Sequence, residues 1–145
     1  MNMIIGSDHA GFELKGIVKS FLEELGHTIQ DVGAHSTDRV NYPDIAFEVG
    51  KLVVSKSDQF GILICGSGIG MSMAANKVQG VRAAMCSGPY SAKLSRQHNN
   101  SNILCLGARL IGVDMAKEIV NSWCNSQFEG GRHGDRVALM DNFKS

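Results

Sequence analysis

The sequence predicts an α/β protein: a three-layer α/β/α, Rossmann-like single domain over residues 1–145, with a mostly parallel sheet of about five strands. Short apolar runs alternate with segments of helical periodicity, which is typical of βα units. The run 60–65 is apolar throughout, as expected for a strand that is buried on both faces of a parallel sheet. A chain of 145 residues also suits one sizeable core.

Each predicted strand is a short apolar run that ends near turn residues. In chain order the strands cover 3–5, 28–32, 60–65, 81–86 and 103–106. The predicted helices have apolar residues at three- and four-residue spacing. In chain order they cover 14–25, 45–53, a short stretch through 73–75, 89–98 and 115–123, and the tail is briefly helical through 137–140. Gly26 is a stop signal after the first helix, and Pro89 suits the first turn of the fourth.

Composition and charge exclude several classes of protein. Lysine plus arginine and aspartate plus glutamate both total 14, so the chain has no basic excess of the kind that attracts nucleic acid. No apolar stretch is long enough to span a membrane, and Asp8 and His9 come too early for a signal peptide. The four cysteines have no CxxC pair or zinc-type spacing, which indicates reduced thiols. We therefore expect a cytoplasmic protein without a nucleic-acid or membrane partner.

A glycine-rich loop lies where ligands bind in doubly wound folds, beyond the carboxyl end of a strand. Gly66-Ser67-Gly68-Ile69-Gly70 follows the third strand and opens a helix, so its N–H groups suit an anion. A tight strand–helix turn explains such a loop equally well. Nucleotide motifs do not fit, because Met71 stands where a dinucleotide fingerprint requires glycine, and Phe12-Glu13 where a P-loop requires Lys-Ser/Thr.

Cys65 differs from the other cysteines in its position. A free cysteine is usually a small buried hydrophobe, and Cys86, Cys105 and Cys124 keep that interpretation. Cys65 ends a strand just before the glycine-rich loop, whose N–H groups would stabilise a thiolate. A thiolate beside such N–H groups can remove a proton and leave the resulting oxyanion stabilised.

Two later segments carry residues suited to a phosphorylated ligand. Arg132 and Arg136 are four residues apart, so on a helix they share a face and could bind one phosphate together. The alternative interpretation is a basic turn that is exposed to solvent and binds nothing. His98 ends the fourth helix, where a histidine caps the helix or serves as an acid or base. His9, His98 and His133 are dispersed in sequence without a metal-ligand spacing, so we expect no metal site.

Five motifs together resemble one family almost end to end. They are Gly6–Gly11 (GSDHAG), Asn41–Asp44 (NYPD), Gly61–Lys77 (GILICGSGIGMSMAANK), Ser91–Asn99 (SAKLSRQHN) and Glu129–Arg136 (EGGRHGDR). The chain resembles the type B ribose-5-phosphate isomerases, within the wider group that includes the galactose-6-phosphate isomerase subunits. The resemblance implies a cofactor-free enzyme of the pentose phosphate pathway that interconverts D-ribose 5-phosphate and D-ribulose 5-phosphate through a cis-enediolate.

The resemblance also implies a role for each candidate site residue. Cys65 is then the base that moves a proton between C1 and C2, and His98 opens the sugar ring with help from Asp8. The implied binding residues are Ser67 and the backbone of Gly66, Gly68, Ile69 and Gly70 for the enediolate, Asn99 and Tyr42 for the sugar, and His9, Arg109, Arg132 and Arg136 for the phosphate. Some members use a glutamate just after the glycine loop as the base. Here Met71 fills that place and Cys65 is present, which indicates the cysteine type.

Family members are dimers or larger, so the resemblance implies a homodimer or a dimer of dimers with shared active sites. His98, Asn99 and Arg109 are then expected to reach into the partner's site. Ser67 stands where many relatives of this type carry threonine, which keeps the hydroxyl. Three alternatives stay open: isomerisation of a six-carbon sugar phosphate such as allose or galactose 6-phosphate, a non-catalytic phosphate-binding module, and a thiol redox protein. The last lacks a resolving cysteine nearby in the sequence.

Overall fold

Five parallel strands form one sheet in the computed structural model, which describes residues 1–145. The strands are β1 (Asn2–Ser7), β2 (Thr28–Asp31), β3 (Gln59–Cys65), β4 (Ala83–Met85) and β5 (Ile103–Gly107), in the spatial order β2-β1-β3-β5-β4. The helices are α1 (Phe12–Glu24), α2 (Tyr42–Val54), α3 (Ile69–Ala75), α4 (Pro89–Gln97), α5 (Val113–Cys124) and α6 (Arg132–Asn142). The predicted α/β class and the five-stranded parallel sheet are confirmed.

Apolar side chains on both faces of β3 account for the three layers. Ile62 and Ile64 pack into a cluster with residues of α1, α4 and α5, and fully buried Trp123 lies in that cluster. Leu63 and Cys65 pack on the other face, with residues of α2 and α3. Each face of the central strand is therefore covered by helices, as the uninterrupted apolar run predicts.

Several element boundaries differ from the sequence prediction, including the start of α6 at Arg132, and two of them have a clear local cause. Helix α2 begins at Tyr42, before the predicted start at 45, because Pro43 has the fixed φ that the first turn of a helix requires and needs no N–H partner there. Strand β4 covers Ala83–Met85 and begins after the predicted start at 81, because the N–H of Arg82 donates to Asn102 Oδ1 at 2.7 Å instead of joining a strand ladder. No helix in the chain combines the length and the apolar character that crossing a membrane requires.

The direction of the strands decides which side chains can meet. The carboxyl ends of all five strands lie at one edge of the sheet, here called the carboxyl edge, where Cys65 is paired with Gly107. At the opposite, amino edge, the N–H of Gly61 donates to the carbonyl oxygen of Asn102 at 2.9 Å. Helix α4 links β4 to the parallel strand β5, so it begins at the carboxyl edge and ends at the amino edge.

Candidate active site

The thiol of Cys65 lies at the end of β3, where the strand gives way to the glycine-rich loop. Its Sγ atom accepts a hydrogen bond from the N–H of Gly68 at 3.1 Å, and the residue is 5% exposed. This hydrogen bond holds the sulfur atom against the start of the glycine-rich loop. Burial raises the pKa of Cys86 and Cys105, and it raises that of Cys124 to about 11, so these three thiols stay protonated near neutral pH.

The loop after Cys65 packs so closely on β5 that two glycines are required. Gly68 has φ +77°, and a Cβ there would lie 2.9 Å from the carbonyl carbon of Leu106. A Cβ on Gly107 would lie 2.6 Å from the carbonyl oxygen of Ser67. The hydroxyl of Ser67 accepts a hydrogen bond from the N–H of Ile69 at 3.2 Å, which holds it within the loop. The loop is therefore a rigid backbone surface beside the thiol.

Several N–H groups of this loop have no acceptor within the chain. Those of Gly66, Ser67 and Gly70 make no hydrogen bond to a backbone or side-chain atom. N–H groups that converge beside a thiolate can hold a negatively charged oxygen that forms when the thiolate removes a proton. The loop therefore offers N–H donors without a partner in the chain beside Cys65, and their binding of an anion stays a prediction.

Asp8 and His9 lie on the turn that follows β1, next to the end of β3. The N–H of Asp8 donates to the carbonyl oxygen of Ile64 at 3.2 Å, and its Oδ1 accepts from the N–H of Gly11 at 3.0 Å. The contact is close, because a Cβ on Gly11 would lie 2.5 Å from that same Ile64 oxygen. His9 Nδ1 accepts from the N–H of Val40 at 3.3 Å, which fixes the ring orientation. Both residues therefore border the Cys65 loop.

Tyr42 and Arg109 complete the carboxyl-edge group. A Cβ on Gly70 would lie 2.7 Å from the ring of Tyr42, so the ring covers the loop directly. A Cβ on Gly66 would lie 3.2 Å from Arg109 Nη1, and the N–H of Arg109 donates to the carbonyl oxygen of Gly66 at 2.9 Å. Arg109 thus lies against the loop of its own chain. This corrects the expectation that it reaches into a partner's site.

The remaining site residues lie at the amino edge. His98 follows the last residue of α4, and the N–H of Glu129 donates to the carbonyl oxygen of Gln97 at 3.0 Å, which ties the start of α6 to the end of α4. The ring of His98 stacks on that of His133, with centroids 4.4 Å apart and planes 10° from parallel. Asn99 lies beside His98 and is exposed.

Arg132 and Arg136 lie on the first two turns of α6, so the predicted helical spacing is confirmed. Both are exposed, and neither is among the cations that form salt bridges in the chain. An exposed and unpaired guanidinium can form charge-assisted hydrogen bonds with an oxyanion. The two arginines therefore suit a phosphate at the amino edge.

One chain separates the candidate residues into two groups. The carboxyl-edge group contains Asp8, His9, Tyr42, Cys65, Gly66, Ser67, Gly68, Ile69, Gly70 and Arg109. The amino-edge group contains His98, Asn99, Arg132 and Arg136. Because β5 runs from one edge to the other, the Cys65 and His98 of a single chain lie at opposite ends of the sheet.

Sequence reasoning missed the cluster that Glu129 and His133 form with His98. It treated His98 and His133 as dispersed, and the structure corrects this by stacking the two rings. The available signal was the pair Gly130 and Gly131, which have φ of 70° and 58° and turn the chain back toward α4. Partial desolvation lowers the pKa of His133, and neighbouring His98 and Arg132 lower it further.

A doubly wound sheet with a thiol, free N–H groups and an unpaired arginine at its carboxyl edge defines an α/β enzyme for small anionic substrates. Residues 3–140 of the chain match the family described as Ribose/Galactose Isomerase. The chain belongs to this family.

Two proteins and one crystal structure illustrate the similarity. Ribose-5-phosphate isomerase B of Escherichia coli K12 is 49% identical over 135 residues, which are 93% of this chain and 91% of that protein. D-erythrulose-4-phosphate isomerase of Pectobacterium atrosepticum is 41% identical over 145 residues, or 99% and 95% of the two chains. The crystal structure of ribose-5-phosphate isomerase B from Mycoplasma genitalium with bound ribulose-5-phosphate has a TM-score of 0.93 and 42% identity, and the match covers 97% of this chain and 93% of that one.

Proposed function

We propose that the chain is a ribose-5-phosphate isomerase, which interconverts D-ribose 5-phosphate and D-ribulose 5-phosphate in the cytoplasm, as a step of the pentose phosphate pathway. The observation that carries the proposal is the Cys65 thiol, which accepts the Gly68 N–H at 3.1 Å and lies beside free N–H groups. The E. coli and M. genitalium proteins named above have this activity in their names. The whole described chain, residues 1–145, serves as one isomerase domain.

In the proposed reaction, Cys65 carries a proton between two neighbouring carbons of the open-chain sugar. The thiolate removes the C2 proton of the aldose, and the electron pair moves to form the enediolate with its charge on the C1 oxygen. The N–H groups of Gly66, Ser67 and Gly70 stabilise that charge. A proton passes from the C2 hydroxyl to the C1 oxygen, the protonated thiol returns its proton to C1, and the C2 carbonyl of the ketose forms, so no cofactor is required.

The other candidate residues prepare and hold the substrate. His98, assisted by Asp8, opens the furanose ring by moving a proton between the ring oxygen and the anomeric hydroxyl. Asn99 and Tyr42 hold the sugar. The phosphate is held by His9, Arg109, Arg132 and Arg136. Support for the last assignment comes from the three exposed arginines, which form no salt bridge in the chain.

These roles require residues from two chains. Cys65 belongs to the carboxyl-edge group and His98 to the amino-edge group, so we propose a homodimer, or a dimer of dimers, in which each site combines one group from each partner. A two-fold axis produces two identical mixed sites. The separation of the groups within one chain supports the shared arrangement.

The direct test is NMR of ribose 5-phosphate with the protein in D₂O. We expect ribulose 5-phosphate to appear, with deuterium at the exchanged carbon, because the thiol proton exchanges with solvent. Cys65→Ala is the control, and it should give neither product nor deuterium. Binding of the substrate without turnover by the unaltered protein would instead support the non-catalytic phosphate-binding alternative.

Substrate length is a second question, because the P. atrosepticum relative is named for a four-carbon substrate. The alternatives are D-erythrulose 4-phosphate and the six-carbon sugars allose 6-phosphate and galactose 6-phosphate. We expect kcat/KM to be highest for ribose 5-phosphate. A higher kcat/KM for a four- or six-carbon sugar phosphate would change the assigned substrate, and the proposed isomerase chemistry would stand.

A further inference from the structure

The amino edge holds a cluster of three side chains whose donor atoms converge. His98 Nε2 lies 3.7 Å and His133 Nε2 3.8 Å from Glu129 Oε1, and the three donor atoms all lie within 4.8 Å of one another. Tetrahedral ligands of a zinc ion are about 3.4 Å apart, given zinc–nitrogen bonds of about 2.0–2.1 Å. Small side-chain rotations would therefore bring all three donors onto one ion.

The backbone under this cluster is held by hydrogen bonds on both sides. The N–H of Glu129 donates to the carbonyl oxygen of Gln97, and the N–H of His133 donates to that of Gly130 at 3.1 Å. The donors therefore lie on a fixed base, while the side chains of His98 and Glu129 are 40% and 51% exposed. An ion from solvent can reach the cluster, and water can occupy its remaining coordination position.

We propose that His98, Glu129 and His133 bind one transition-metal ion, such as Zn²⁺, within a single chain. Two imidazoles and one carboxylate form the donor set of several zinc enzymes, and imidazole selects zinc, nickel and copper over magnesium and calcium. Arg132 and Arg136 lie close by on α6, and their charges weaken the binding of any cation. The ion is therefore exchangeable and is not required for folding.

Metal binding at this cluster has a consequence that rests on the proposed function. His98 is the residue assigned to ring opening, and a metal on its Nε2 occupies the lone pair that accepts the proton. The ion therefore inhibits isomerisation of the cyclic substrate. This effect is opposite to that of a catalytic metal.

The binding test uses the chelator-treated full-length chain with Cys65→Ala, so that the site thiol contributes nothing. Calorimetric titration with Zn²⁺ should show one ion per chain, and Mg²⁺ should show none. Adding Glu129→Gln or His133→Gln should weaken Zn²⁺ binding at least about tenfold, since each removes one of three ligands. Adding His35→Gln is the matched control and should leave the affinity unchanged. Equal affinity in all variants, or no binding by the parent, would overturn the proposal.

Cobalt absorption provides a readout that is independent of activity. Co²⁺ bound to the unaltered chain should show visible bands of a nitrogen and oxygen site, and these should disappear in His133→Gln. Loss of the bands only in Cys65→Ala would place the metal on the thiol and refute the assignment. The inhibitory consequence is tested separately. For each protein, the rate with Zn²⁺ is expressed as a fraction of its own metal-free rate. The Zn²⁺ concentration that halves this rate should be about tenfold higher for Glu129→Gln than for the unaltered chain. The same half-inhibiting concentration in both proteins would refute the claim that zinc at this cluster inhibits isomerisation. If the unaltered chain binds zinc but does not isomerise ribose 5-phosphate, only the proposed function is refuted.

Discussion

Mixing two inactive variants tests whether active sites are shared between chains. Cys65→Ala removes the proposed base at the carboxyl edge, and His98→Ala removes the proposed ring-opening residue at the amino edge. The two residues lie at opposite ends of the sheet within one chain. Each variant alone should be nearly inactive, because every shared site contains one defect.

The expected recovery follows from the two-fold arrangement. In a mixed dimer, one site receives both substitutions and the other receives none, so one of two sites works. Random pairing of equal amounts produces about half mixed dimers, and about a quarter of the original activity should return. The assay is ribulose 5-phosphate formation after the variants are dissociated and reassociated together. Exchange of chains is verified by mass spectrometry of differently tagged subunits.

A matched control uses the double variant Cys65→Ala/His98→Ala mixed with the unaltered chain. Shared sites make every mixed dimer inactive, so about a quarter of the activity should remain, whereas separate sites would leave about half. No recovery in the first mixture, together with half the activity in the second and proven subunit exchange, would refute sharing. The assignment of Cys65 as the base would survive that result.

Three further predictions test the remaining roles. Cys65→Ala should lower kcat by about 10²- to 10⁴-fold while substrate binding, measured by calorimetry, is kept; activity within a few-fold of the original would contradict the role of the base. Arg132→Ala and Arg136→Ala should each raise KM, because a charge-assisted hydrogen bond contributes about 1.5–3 kcal/mol; an unchanged KM in both would exclude the phosphate role. Gly68→Ala should lower the free energy of unfolding by at least about 1–2 kcal/mol, because an alanine is strained at φ +77° and its Cβ would contact Leu106. The control Gly16→Ala, whose Cβ would meet no atom within 4 Å, should stabilise α1 by about 1 kcal/mol. Equal denaturant midpoints for the two variants would refute the conclusion that the loop requires a glycine at position 68.

The carboxyl-edge part of the site was largely predictable from sequence, because local patterns determine it. The apolar run 60–65 predicts a buried strand, and the glycines after it predict a tight turn beside Cys65. Residues that follow neighbouring parallel strands meet at the same edge, which explains why Asp8 also lies there. The position of Arg109 was not predictable in this way. It depends on the packing of the β5 end against Gly66, which is a contact between distant segments.

The amino-edge group shows which topological signal was left unused. In a parallel sheet, a helix that links two strands must end at the edge where the second strand begins. His98 follows such a helix, so the alternation of strands and helices already placed it away from Cys65. The stacking of His98 on His133 required more, because two glycines with positive φ reverse the chain before α6. Backbone turns of this kind bring together residues that have no periodic relation in the sequence. The turn that precedes Arg132, for which we propose a role in binding the phosphate, also places His133 beside His98. The proposed substrate capture and the proposed metal site therefore depend on one piece of backbone.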